Sequence, residues 1–590
     1  MRLLDAFPEL ALNAPGKPAG VVVELQASAA EDVVVRAELL DLGVVVSVGE
    51  ASTHLPAGAN SVTVQVSVPE NDARGYQLRV KVTTVGTRLE LMTYSALLAA
   101  RHWRSVPRYG FLSEFTSTDP GTVSADVVRD LAKFHVTIVQ FYDWMFRHYQ
   151  FLPPVTAEGE QPSKFVDAME REVAPGVVAR RVQQCKQLGM APIAYGAVYG
   201  PEPEFILERP DWLLYDSAGK PLNLIELFYI TDLRPGGWRE HIMQEFEAAV
   251  HSVGFEGIHM DQYGFPKLAY DAAGVLVNPS EDFPSMIDEA ARRVKGVNPE
   301  AGVIFNAVND WPIDTVAPSD QEAVYIEVWS PHDRYRDLVD LIRRARDLSG
   351  KQTILSAYLL PFHDGGAGAE WALRYITAVI NAAGGHHLVL GEGTAVLREP
   401  YYPDHGHLSE DGVRLARRYY DHSAAFTHYL HAPDLMPVAR NFTTGINTAF
   451  TLRGALTSAQ PEVGSVWLNV AQRDGQREGQ RTGQFVLNLV NLTGLDEDSW
   501  NVTKPGAPEL TGLTLVCEPF LRPTRVSWAS PDEAIVGPAD QSIGSSGGSM
   551  AGVPIGPGAL ELTPSVDDAG VVTLALPPLR LWATIVVEFS

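Results

Sequence analysis

Cysteine is nearly absent from this chain: among 590 residues there are two, Cys185 and Cys517, far apart and outside any metal-ligand spacing. That excludes a disulfide scaffold and a cysteine-built zinc site, and both residues read as buried free thiols. Long apolar runs are missing too. No stretch reaches the roughly 18 apolar residues that a membrane-spanning helix needs. The opening "MRLLDAFPEL" lacks the apolar core of a secretion signal. As written the chain reads as cytoplasmic, or as one from which a leader has been removed. Positive charge is scarce, with 46 Lys and Arg against 72 Asp and Glu and a net charge of −26. A surface of that sign repels phosphate backbones and anionic headgroups. Neither nucleic acid nor a membrane is expected as a partner, and a neutral or cationic substrate fits better.

Several catalytic signatures are also lacking. No Gly-x-Ser-x-Gly elbow occurs, which argues against a serine esterase. The glycine-rich stretches "GGAGAE" and "GEGTAV" do not follow the strand–turn–helix pattern of a phosphate loop and read as plain loops. "HH" at 386–387 and "HGH" at 405–407 have no further ligands at a recognised metal spacing, so they read as structural or sugar-binding histidines. Neither a metal nor another cofactor is expected, and there is no internal repeat.

What is present divides the chain into three textures. Hydrophobic residues make up 45% and charged residues 20%, a globular balance, and the length calls for several domains. The first hundred residues alternate valine with polar residues, as in "SVTVQVSVP", where Val62, Val64, Val66 and Val68 share a face. Turn clusters such as "PAGAN" separate these runs, which predicts an immunoglobulin-like antiparallel β-sandwich over 1–104. Between 105 and 434 amphipathic helices alternate with short apolar strands. "VVARRVQQCKQLG" puts Val178, Val182 and Cys185 on one face and ends on Gly189. Eight candidate strands lie among such helices: "VTIVQFY", "APIAYG", "LFYIT", "EGIHMD", "AGVIFN", "AVYIEV", "QTILSAY" and "HHLVLG". The pattern predicts a catalytic (β/α)8 TIM barrel, closed by the helix "GVRLARRYYDHSAAFTHYLH". From 435 to 590 the chain turns β-rich again, with strands in "GQFVLNLVNLTG" and "LRLWATIVVEFS" and a glycine-serine loop, "GPADQSIGSSGGSMAG". A C-terminal β-sandwich is expected there.

In such a barrel the polar residues at the C-terminal ends of strands face the active site. Those ends offer Asp143, Trp144, Arg147 and His148; Tyr195 and Tyr199; Asp232; Asp261 with Tyr263; Asn306; Glu327 with Trp329; Tyr358; and Glu392. Carboxylates and aromatic rings dominate. Carboxylates accept hydrogen bonds from vicinal hydroxyls, and flat rings stack on the apolar faces of sugars. Two carboxylates facing each other across a cleft are also the minimal apparatus for cleaving a glycosidic bond.

The stretches "RYGFLSEF", "QFYDWMFRHY", "GIHMDQYG", "YIEVW" and "REPYYPDHGHLS" together resemble glycoside hydrolase family 66, the dextranases and related cycloisomaltooligosaccharide glucanotransferases. The resemblance covers the barrel and agrees with flanking sandwiches. It implies a retaining, endo-acting hydrolase of α-1,6-glucosidic linkages in dextran or isomaltooligosaccharides. It assigns the nucleophile to Asp261, the general acid/base to Glu327, and a substrate-binding carboxylate to Asp143. Trp144, His148, Tyr195, Tyr263, Asn306, Trp329, Tyr358 and Glu392 are the further substrate-binding candidates, with Trp144 and Trp329 expected as sugar platforms. The cyclising members of that family carry an extra β-domain inserted in the catalytic region. The connections between strand candidates here are too short for one, so the dextranase type is expected and the glucanotransferase is the alternative. A non-catalytic glucan-binding protein is the remaining rival.

Overall fold

The computed structural model describes residues 1–118, 121–157, 159–438, 449–477, 480–518, 523–532 and 558–589. Its centre is an eight-stranded sheet, all parallel and in sequential order. The strands are Tyr109–Leu112, Ile138–Phe141, Ala191–Ala197, Gly257–Asp261, Gly302–Asn306, Val324–Glu327, Thr353–Ser356 and His386–His387. The Phe111 amide donates to the Leu390 carbonyl at 3.2 Å, and a parallel bridge from Phe111 to Gly391 joins the last strand to the first. The sheet thus closes as a barrel.

Eight strands were expected, and eight form the barrel, but the membership differs at one place. Tyr109–Leu112, inside "RYGFLSEF", is the first strand. "LFYIT" is not a barrel strand; it contributes Phe228–Tyr229 to a small hairpin with Asn223–Leu224. A parallel neighbour requires a crossover of a dozen or more residues, usually through a helix. Between Ala197 and Phe228 the only helical elements are a one-turn helix, Pro203–Ile206, and a 3-10 turn, Pro210–Trp212. The crossover helix Gly237–Ala248 comes after "LFYIT", so that run has no place in the sheet.

The other helices follow the sequence closely. Pro175–Gln187 buries Val178, Val182 and Cys185, and Gly189 turns the chain at φ +73°. Tyr335–Ser349 ends on Gly350, also left-handed, where a residue without Cβ fits. Gly366–Ala382 starts within "GGAGAE", so most of that stretch is helix and not loop.

Strand alternation sorts the barrel side chains. Ile138, Ile193, Ile304, Tyr325 and Ile354 pack together inside, whereas Val139, Ile258, Met260, Val303 and Ile326 join the core beneath the helices. The same period of two carries the inward series on to Tyr195, Asp261, Asn306, Glu327 and Tyr358 at the C-terminal mouth.

Antiparallel sheets flank the barrel. N-terminally, a sheet of Arg2–Pro8, Pro18–Ala27 and Gly58–Ser67 and a sheet of four strands between Glu31 and Ala99 turn valines and leucines into one shared core. C-terminally, the hairpin Val466–Arg477 with Gln480–Asn491 continues into Trp582–Phe589. A second sheet, built on Phe450–Arg453 and Thr514–Cys517, shares its core. The expected loop "GPADQSIGSSGGSMAG" lies outside the described residues. Among the described residues no helix is long and apolar enough to cross a membrane.

Candidate active site

At the C-terminal mouth of the barrel is a cleft of about 440 Å³. Its centre is a pair of carboxylates. Asp261 ends the strand Gly257–Asp261, and Glu327 ends the strand Val324–Glu327, with the strand of Asn306 between them. Asn306 Nδ2 donates to Asp261 Oδ1 at 2.7 Å and to Glu327 Oε2 at 2.8 Å. One amide nitrogen therefore spans the pair, and those two oxygens can be no further apart than the two bonds laid end to end, about 5.5 Å. Each carboxylate has its own phenol as well: Tyr195 donates to Asp261 at 2.8 Å and Tyr358 donates to Glu327 at 2.9 Å.

The environments of the two groups separate their protonation. Burial, reinforced by the charge of Asp261, pushes the Glu327 carboxyl up to about 7. Burial also raises Asp261, but the hydrogen bonds from Asn306 and Tyr195 oppose that rise. Near neutrality the arrangement favours one ionised and one protonated carboxyl. Such a pair can supply a nucleophile and a proton to the same bond.

A second cluster lies alongside. Asp143 is buried at φ +45° and has its carboxyl raised to about 6 by burial, against the pull of His148 and Arg171. His148 Nε2 stands 4.0 Å from Asp143 Oδ1. Glu202, also buried, accepts from the His148 backbone amide at 2.8 Å and lies 3.0 Å from its Nδ1. Although burial opposes a charge there, Glu202 keeps the His148 pKa raised.

The cleft thus gathers Asp143, His148, Tyr195, Asp261, Tyr263, Asn306, Glu327, Trp329 and Tyr358 of the residues read from the sequence. Trp329 is 40% exposed and faces the cleft beside Tyr358, ring centres 5.7 Å apart. Two candidates require correction. Trp144 is 3% exposed, packed between Phe151 and Phe255, with its indole N–H donating to the Tyr195 carbonyl. The left-handed φ at Asp143 breaks the strand alternation, so Asp143 joins the cleft and Trp144 passes beneath it. Glu392 does not line the cleft either. It accepts from the Ser113 amide and hydroxyl at 2.7 Å and pairs with Arg181 at 3.1 Å, tying the last strand to the first.

Three weaker candidates also serve elsewhere. Asp232 pairs with Arg234, and Arg147 with Glu204. Tyr199 is buried and donates to the Phe265 carbonyl, bracing the turn that carries Tyr263. The histidine pairs have local partners: His386 stacks on His431, and His387 Nε2 lies 3.0 Å from the Ala357 carbonyl. Among the described residues there is no group of three or more side chains placed to hold a metal.

Tyr142, Tyr401, Tyr402 and Arg171 are not among the strand-end candidates. Tyr142 and Tyr402 stack at 4.3 Å in the cleft wall, and the Arg171 guanidinium lies 5.7 Å from the Tyr401 ring centre. Tyr142 was within reach, since the inward series Ile138, Gln140 continues to it. Tyr401 and Tyr402 sit in "REPYYPDHGHLS", where no strand period points to a side chain.

The model of Glycosyl hydrolase family 66 matches residues 11–546. The chain belongs to glycosyl hydrolase family 66. It is an enzyme of the glycoside-hydrolase type. Two curated relatives, both cycloisomaltooligosaccharide glucanotransferases of Niallia circulans, are 26% and 25% identical over 342 and 315 residues. Those alignments take in 55% and 50% of this chain but only 34% and 32% of the relatives, so the match spans about a third of their length. A solved structure, the cycloisomaltooligosaccharide glucanotransferase of Paenibacillus sp. complexed with cycloisomaltoheptaose, superposes with a TM-score of 0.86 at 17% identity. That superposition covers 99% of each chain and establishes the likeness of fold.

Proposed function

We propose that this family 66 enzyme is an endo-acting, retaining hydrolase of α-1,6-glucosidic linkages in dextran or isomaltooligosaccharides. Asp261 is the nucleophile and Glu327 the general acid/base. The observation that carries the reading is the single Asn306 amide shared by both carboxylates. It holds their facing oxygens within about 5.5 Å. Retaining enzymes keep their carboxyls about 5–5.5 Å apart, while inverting ones need about 6.5–9.5 Å to admit a water. In the first step the ionised Asp261 attacks the anomeric carbon as Glu327 gives its proton to the leaving oxygen. Glycosylation removes the charge of Asp261, the pKa of Glu327 falls, and Glu327 takes a proton from the incoming water as the water oxygen bonds to the anomeric carbon and Asp261 leaves as a carboxylate. Asn306, Tyr195 and Tyr358 fix the two carboxyls. Asp143, His148, Tyr263 and Trp329 bind the sugar.

The α-glucan substrate rests on family membership and on the glucanotransferase relatives. The flanking sheets are read as β-sandwich domains over 1–104, immunoglobulin-like, and 435–590, around a catalytic domain at 105–434. No nucleic acid or membrane partner is proposed for a chain of this charge.

Transfer to the glucan's own end, giving cyclic products, is the second reading, and the names of the relatives favour it. The connection from Ser356 to His386 holds only a 3-10 turn, Leu360–His363, and the helix Gly366–Ala382, but a glucanotransferase structure superposes over 99% of each chain, so the products and not the fold separate water from the glucan's own end as acceptor. Chromatography of an exhaustive dextran digest decides: linear isomaltooligosaccharides with reducing ends support hydrolysis. A dominant cyclic set without reducing ends supports transfer. No products from any α-glucan would overturn both.

A further inference from the structure

Among the described residues, two exposed large apolar side chains line the cleft: Trp329 at 40% and Ile225 at 64%. Ile225 stands at the tip of the small hairpin in which Asn223 pairs with Tyr229 and Leu224 with Phe228. The Leu227 amide donates to the Leu224 carbonyl at 3.1 Å, closing a four-residue turn, and Asn223 Oδ1 accepts from the Glu226 amide at 3.1 Å. Both central residues of the turn have positive φ, +49° for Ile225 and +58° for Glu226. Turns of that pattern strongly prefer Asn, Asp and Gly, because a Cβ crowds the backbone there. A β-branched residue fits worst of all.

Burial does not offset the strain at Ile225, since a side chain this exposed gains little from it. Strain of this kind is retained where the strained residue has work to do at a site. Its position indicates that work. The hairpin follows the barrel strand Ala191–Ala197, and Trp329 follows Val324–Glu327, three steps round an eight-strand barrel. The two apolar side chains therefore approach the cleft from well-separated parts of its rim. A chain of α-1,6 linkages carries a methylene in every joint, which gives an aliphatic side chain something to pack against, whereas a flat indole suits a ring face.

We propose that Ile225 is a specificity-determining residue, an aliphatic wall that holds the glucan chain beyond the bond being cleaved while Trp329 holds it at another part of the rim. This rests on the α-glucan reading above, and it adds that chain-length preference is set in part by a residue kept at the expense of local stability.

The test is Ile225→Asn, which suits the left-handed backbone and removes the aliphatic surface, with Ile225→Leu as the control that keeps it. For Ile225→Asn the KM on long dextran should rise about threefold to tenfold through lost apolar contact. Kinetics on a short activated glucoside should stay within about twofold, and the melting temperature should hold or rise by about a degree or two as strain is relieved. Ile225→Leu should stay near the parent on dextran. An unchanged KM on dextran, or an equal loss on short and long substrates, would overturn the proposal, as would a clear fall in melting temperature. If the parent itself acts on no α-1,6-glucan, the proposed function fails. If the parent acts and Ile225→Asn behaves identically, only this inference fails.

Discussion

The opposed tasks proposed for Asp261 and Glu327 rest on what each side chain touches. Glu327 is buried and Asp261 half-buried, and loss of water pushes both carboxyls up. Burial first, and the charge of Asp261 second, raise Glu327 to about 7. As pH rises through about 7, Glu327 loses the proton that a poor leaving group needs, so hydrolysis of dextran should fall. Glu327→Gln should remove that alkaline limb and slow an activated substrate with a good leaving group far less than dextran. Equal losses on both substrates would make Glu327 structural. The raised pKa also bears on stability. The folded protein binds more protons than the unfolded chain between the ordinary glutamate range and about 7, so stability from this group is complete below that window and lost as pH rises through it. At pH 8 Glu327→Gln should therefore unfold at a higher temperature than the parent, with the difference vanishing near pH 4. A variant less stable than the parent at pH 8 would contradict the burial argument.

At the scale of elements, the sequence was most legible where side-chain period and burial coincide. Asp261, Asn306, Glu327 and Tyr358 continue inward-facing series, so a strand reading alone sends them to the mouth of the barrel. It failed where an apolar run meant something else. "LFYIT" is apolar because Phe228 lines the cleft and Ile230 is buried, not because it pairs in the sheet. Tyr109–Leu112 was passed over because four residues after "VPR" carry too little pattern, although the helix Gly121–Lys133 needs a strand before it. The two tryptophans separate a strand-end position from a turned one, and their alanine variants should separate too. Trp329→Ala should weaken binding of long glucans by on the order of 1 kcal/mol with little change in melting temperature. Trp144→Ala should cost about 3–5 kcal/mol of stability, because it empties a core position beneath Asp143 and Tyr195. Thermal unfolding together with KM on dextran checks both. A destabilised Trp329→Ala beside a stable Trp144→Ala would reverse the assignment.

Across the whole molecule, the flanking sheets are fastened to the barrel. Ser95 donates to Asp421 at 3.1 Å, Tyr429 to Asp41 at 2.9 Å, and the Trp500 indole to the His332 carbonyl at 2.7 Å. The first two contacts meet the helices Glu410–Ala425 and Thr427–Leu430 that close the barrel, whereas the third braces the loop that carries Trp329 at the mouth. None was foreseeable from sequence, because contacts between distant segments have no local period. The fold class was foreseeable, because alternating strands and helices followed by strand-rich ends admit few architectures. The central claim is that a glucan is carried covalently on Asp261 between two half-reactions. The most direct measurement is to inactivate the enzyme with a 5-fluoro-α-isomaltosyl fluoride, which slows turnover of the glycosyl-enzyme, and to map the label by mass spectrometry. The account predicts one sugar per chain, on the peptide containing Asp261. A label on any other residue, or an unlabelled enzyme that releases the β-anomer from an α-glucan, would contradict it.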